Sequence, residues 1–84
     1  MKEIKHYKTD YLGLLLEYPD GVTAKEIAET YFDDVPTHTI RWTLKRLHTQ
    51  GLVRRIKDEG EYRYWITDKG VLRYDYLLSQ QEKQ

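Results

Sequence analysis

The sequence predicts a small α+β domain, mainly α, in the order helix, helix, helix, β-hairpin, helix. Three observations carry that prediction. Thr23 and Thr67 each stand between an apolar residue and a run with helical periodicity, the pattern of a capped helix start. Ile40, Leu44 and Leu47 form a stripe that Gly51 is placed to end. "LVRRI" and "YRYWIT" alternate on either side of the polar "KDEGE", as two strands joined by a turn do.

A chain of 84 residues is one domain with room for a single modest core. The expected unit spans residues 1–84, with its core over about 9–78 and a polar tail over 79–84. There is no cysteine, so disulfides are excluded and a reducing compartment is suited. His6, His38 and His48 do not cluster at zinc-ligand spacing. No metal or other cofactor is therefore expected. "MKEIKHYKTDY" has no apolar core of signal-peptide length, and no stretch approaches the ~20 apolar residues of a membrane span. The expectation is a soluble cytoplasmic protein without membrane contact. With disulfides and metal set aside, a partner chain is the stabiliser to look for.

The elements follow in order. "TDYLGLLLEYPDG" reads as a first helix ended by a Pro-Asp-Gly turn, with Tyr11, Leu12, Leu15 and Leu16 on its core face. Its start lies at Thr9, as a cap, or near Lys2, because Ile4, Tyr7, Tyr11 and Tyr18 also share one face. Gly13 inside it costs roughly 1 kcal/mol relative to alanine, which suggests a close neighbour. In the second helix, Ala24 to about Phe32, Thr23 and Glu26 form a capping box, and Val22 and Ile27 a hydrophobic staple. Ile27, Ala28, Tyr31 and Phe32 make its apolar stripe. After "DDVP", Thr37 can cap the third helix.

In the hairpin, Tyr62, Tyr64 and Ile66 share one face while Arg63 and Trp65 share the other, with Trp65 expected to be structural, shielding the hairpin beside Val53. Thr67 caps the fourth helix, stapled by Ile66 and Val71. That helix has two apolar faces. One is Val71, Tyr74 and Leu78 and the other Leu72 and Tyr76; one face can close the domain's own core, and the other needs a partner or stays partly exposed.

The net charge of zero hides a polar molecule. From Glu17 to Asp34 there are six acids against one base, and from Arg41 to Lys57 six bases against no acid. With ~100° per residue and the stripe of Ile40, Leu44 and Leu47 inward, His38, Trp42, Lys45 and Thr49 point away from the core. Arg46 and Arg41 occupy the two shoulders of that outward face. A helix that exposes bases and hydroxyls suits the DNA major groove, where guanidinium groups match guanine edges and phosphates.

With these pieces the sequence resembles a winged helix-turn-helix domain of the kind found in MarR and PadR transcriptional regulators. "TAKEIAETY" is similar to the first helix of the motif. "THTIRWTLKRLHTQGLVRRI" is similar to the recognition helix running into the first wing strand, and "YWITDKG" to the start of the final helix with its Leu-Thr-x-x-Gly pattern. The resemblance implies sequence-specific binding of double-stranded DNA by a homodimer, with helix 38–50 in the major groove. Contacts on the recognition helix would fall on Thr37, His38, Thr39, Arg41, Trp42, Lys45 and Arg46. Contacts on the wing would fall on Arg54, Arg55, Lys57 and Arg63. Pairing through the first and last helices would engage Ile4, Tyr7, Tyr11, Leu72 and Tyr76. The wing tip carries Asp58, Glu59 and Glu61, which phosphate repels, so the helix rather than the tip is the expected reader.

Some assignments stay open at this level. Trp42 can pack on a thymine methyl or sugar, fold against the preceding helix, or lie in a protein interface. One of Arg54 and Arg55 can pair with Glu59 or Glu61 across the hairpin. His38 can donate to a phosphate at the helix start or remain an exposed polar residue. No catalytic constellation or glycine-rich phosphate loop occurs, so no enzyme is expected, and no effector pocket is evident. Two other functions use the same frame: a protein-interaction module, which the acids Glu26, Glu29, Asp33 and Asp34 favour, and a sequence-tolerant architectural DNA coat.

Overall fold

Thr23 begins the best-defined local structure. Its hydroxyl accepts the Glu26 backbone N–H at 3.1 Å, and Glu26 Oε1 accepts the Thr23 backbone N–H at 2.9 Å. The capping box launches a helix over Ala24–Thr30. It stops two residues short of Phe32, which nevertheless turns back into the core, whereas Tyr31 stays exposed against Tyr18 with ring centroids 5.7 Å apart.

The computed structural model describes residues 8–82 of the chain. The elements are α1 (Lys8–Leu16), β1 (Val22–Thr23), α2 (Ala24–Thr30), α3 (Thr37–Thr49), β2 (Val53–Asp58), β3 (Glu61–Ile66) and α4 (Asp68–Glu82). The four helices and the hairpin stand in the order expected. A third, two-residue strand completes an antiparallel sheet in the order β1-β3-β2, with Val22 opposite Tyr64 and Val53 opposite Ile66. The polar stretch from Ser79 is helical as far as Glu82. Among the described residues no helix is long and apolar enough to cross a membrane.

The third helix ends as its glycine requires. Gly51 has φ +79°, its N–H donates to the His48 carbonyl, and the Leu52 N–H reaches back to the Leu47 carbonyl. This pair of bonds is a Schellman motif, closed by the apolar contact expected between the third-last helical residue, Leu47, and Leu52, both buried. The helix start differs from expectation. Pro36 is the N-cap, without a side-chain cap bond, and Thr37 is already helical. Thr67 does cap α4: its hydroxyl accepts the Gly70 N–H at 3.0 Å and donates to the Gly51 carbonyl at 2.7 Å, tying the end of α3 to the start of α4.

Ile27, Ile40, Leu44, Leu47, Leu52 and Val53 fill the centre with Leu12 and Leu15 of α1. On α1 the buried side chains are Tyr11, Leu12, Leu14 and Leu15; Leu16 is exposed, and Thr9 lies inside the helix rather than capping it. Gly13 is where Tyr74 of α4 comes down, its phenol oxygen 3.0 Å from where a β-carbon would stand. Tyr74 and Leu77 pack against the core, leaving Leu72 and Tyr76 of α4 outside, 70% and 57% exposed.

Candidate nucleic-acid interface

The apolar stripe Ile40, Leu44 and Leu47 is buried to 2% exposure or less, which fixes the rotation of α3. The opposite side then faces solvent, and His38, Arg41, Trp42, Lys45, Arg46 and Thr49 are exposed on it. Thr37 and Thr39 at the helix start are half-buried. Thr43 and Thr49 return their hydroxyls to the helix, donating to the carbonyls of Thr39 and Lys45 at 3.0 and 3.1 Å.

Trp42 is 59% exposed and does not fold against the preceding helix. Its indole instead carries the Arg46 guanidinium, whose central carbon lies 4.9 Å from the ring centroid. Arg46 also contributes to a wider positive field. Burial, with the charges of Arg73 and Arg46 adding to it, holds the Lys8 ammonium below its ordinary value.

The hairpin supplies the other wall. Glu59 and Gly60 have φ +52° and +85°, the positive values a two-residue type I′ turn demands at both central positions. That turn pairs Asp58 with Glu61 and fixes the register Arg55–Tyr64 and Lys57–Tyr62. Arg55 and Lys57 consequently share a face with Tyr62 and Tyr64. The Arg55 guanidinium lies 4.2 Å, and the Lys57 ammonium 5.9 Å, from the centre of the Tyr62 ring. Between this face and α3 runs an open groove of about 490 Å³ lined by His38, Arg41, Trp42, Lys45, Arg55, Tyr62 and Tyr64.

The remaining arginines go elsewhere. Arg54 alternates to the opposite face, where it stacks 4.5 Å from the centre of the Trp65 ring. Trp65 stands opposite Arg54 in the register and packs over Gly21, where a β-carbon would come within 2.6 Å of the indole. Arg63 donates to the Gly21 carbonyl at 3.1 Å and lies 3.6 Å from Glu26. It braces β1 and α2 against β3. Glu61 pairs with neither Arg54 nor Arg55. The Arg41 Nη2 crosses to it from α3 and donates to its Oε1 at 3.1 Å.

The residues expected at a dimer interface separate as well. Tyr11 is a core residue, 3% exposed and edge-on to Phe32 at 5.0 Å, so it is removed from that surface. Burial pushes its phenol above the usual tyrosine range, against a hydrogen bond with Thr43, and the carboxylates of Asp10 and Asp34 add to the rise. Leu72 and Tyr76 are exposed on α4 and line a shallow recess with Lys69 and Arg73. Ile4 and Tyr7 lie outside the described residues.

Sequence reasoning did not assign Tyr62 and Tyr64 of the groove, nor Glu61, which lines the adjoining recess with Arg41. The signal for Tyr62 was present in the two-residue turn, which sets which hairpin side chains face together. Nothing local pointed to the pairing of Arg41 with Glu61, twenty residues apart.

The arrangement is that of a winged helix, and comparison with solved structures agrees. A MarR family protein from Bacillus stearothermophilus superposes with a TM-score of 0.72 at 22% identity, over 98% of this chain and 56% of that one. The transcriptional regulator SlyA gives a TM-score of 0.71 at 27% identity, over 94% and 56%. A variant of MepR from S. aureus, bound to an oligodeoxyribonucleotide, gives 0.70 at 21% identity, over 95% and 62%. The chain thus has a winged-helix domain resembling the MarR regulators and spans little more than half the length of these structures. No family model matches the sequence, and no curated protein matches it at a significant level.

Proposed function

We propose that this chain is a sequence-specific DNA-binding transcriptional regulator that reads the major groove with α3 as a homodimer. The observation that carries the reading is the exposed row His38, Arg41, Trp42, Lys45 and Arg46, held outward by a buried aliphatic stripe and continued by Arg55 and Lys57 across the groove. A helix of this kind fits the major groove, and its cations release counterions from phosphate. The likeness to SlyA and to a DNA-bound MepR variant supports the same reading. Arg54 and Arg63, turned away from the groove, contribute to the general field or to the fold rather than to base contacts.

The dimer would form through α4, where Leu72 and Tyr76 lie uncovered, together with the chain's first helix. Two reading helices would then meet half-sites about 10 base pairs apart. Footprinting over the promoter of the protein's own gene tests this reading. A protected palindrome supports it; uniform cooperative coating marks an architectural protein instead. Failure to bind any duplex at low salt, with retained binding to a partner protein, marks an interaction module.

A further inference from the structure

We infer that Glu61 is a specificity-determining positioning residue, which holds the Arg41 guanidinium in the groove so that its free donors meet a guanine edge. The inference rests on the DNA-reading proposal above. Arg41 reaches from α3 to the first residue of β3 and donates through Nη2 to Glu61 Oε1 at 3.1 Å. A guanidinium has five N–H donors, so this single contact leaves the larger part of the fork unspent. The pair lies in a recess that Tyr62 and Tyr64 also line, beside the wider groove to which Arg41 contributes. A long side chain loses rotamer freedom when it docks on a base, and a partner that has already fixed its course leaves less to lose.

Glu61 has a second effect, opposite in sign. Its charge repels the phosphates of every duplex alike, whereas a positioned Arg41 favours only duplexes with guanine in register. The pair therefore lowers affinity in general and raises the ratio of cognate to random binding, which is specificity obtained partly by disfavouring the wrong partner. Glu59 provides the internal control, because it carries the same charge two residues away at the exposed turn.

The test uses duplexes enriched from a randomised pool by the wild-type protein, with a random duplex for comparison. Dissociation constants for both are measured with wild type, E61Q, E59Q, R41A and the E61Q/R41A double variant. An exposed ion pair contributes little to stability, so E61Q folds as wild type does, which thermal melting checks. E59Q should tighten both duplexes and leave their ratio unchanged. E61Q should lower the ratio about tenfold, in the range a guanine contact provides. R41A should lower it to a similar degree, and the double variant no further. E61Q behaving as E59Q does, or a loss that persists on top of R41A, overturns the inference and leaves the DNA-reading proposal standing. A wild-type protein that enriches no duplex contradicts both.

Discussion

The Arg46 guanidinium lies over the Trp42 indole, 4.9 Å from the ring centroid, one turn apart on the outward side of α3. The tryptophan therefore holds a cation in place while leaving most of its own surface in water. Exposed contacts of this type contribute about 0.5–1 kcal/mol. Trp42→Ala should cost no more than about 1 kcal/mol of stability, the loss of that one exposed contact. Duplex binding should weaken at least severalfold, read by fluorescence anisotropy. A large drop in melting temperature would mean that the indole supports the fold instead.

Gly70 should not tolerate a methyl group. A β-carbon there would collide with the carbonyl oxygen of Leu52, a backbone atom that cannot step aside. That segment also receives the Thr67 N–H on the same carbonyl, while the Thr67 hydroxyl caps α4. Gly70→Ala is expected to cost at least about 1–3 kcal/mol, the range of overpacked sites. Chemical denaturation reads the loss directly.

Glu59 marks the opposite case. It is the one non-glycine residue with positive φ among the described residues, at +52°, beside Gly60 in a turn that favours Asn-Gly. Glu59→Asn should stabilise the protein by about 0.5–1 kcal/mol, since asparagine enters the left-handed region more readily. The denaturation midpoint should rise with an unchanged m-value.

Stability should decline at alkaline pH through Tyr11. Burial raises the phenol's folded-state value, so its contribution is fully present below the unfolded value of about 10 and is lost as pH rises toward the folded one. Tyr11→Phe removes the ionisable group and should flatten that decline. The comparison is made by urea denaturation across the alkaline range, and identical slopes for the two proteins would contradict the assignment.

Leu72 and Tyr76 make a separate prediction about assembly. Replacing them with Asp and Ser should shift a dimer to monomer in light scattering while preserving the melting profile of the monomer fold, because both side chains are exposed. A wild-type protein that is already monomeric at high micromolar concentration contradicts the proposed pairing.

Much of this architecture is legible in the residues because its signals are local. Thr23 with Glu26, Thr67 with Gly70, and Gly51 after Leu47 each specify a helix end within a few positions. The stripe Ile40, Leu44 and Leu47 likewise sets which side of α3 faces out. What escapes such reading depends on partners far along the chain. Val22 and Thr23 become a strand only because β3 lies beside them. Arg63 donates to the carbonyl of Gly21, forty-two residues earlier. Tyr11 repeats along a face with other tyrosines, yet Phe32 draws it inward. Arg54 turns to the far face for the same reason that Arg55 and Tyr62 meet: the turn at Glu59-Gly60 sets the register of the whole hairpin.

The central claim is that the outward side of α3 engages duplex DNA, and the salt dependence of binding tests it most directly. With four to six phosphates neutralised per monomer, a dimer should show a log–log slope on the order of −7 to −11. Arg46→Ala and Lys45→Ala should each make that slope shallower, by about 1 for every phosphate that is no longer neutralised. A wild-type slope near zero, or slopes and affinities unchanged in both variants, would contradict the account.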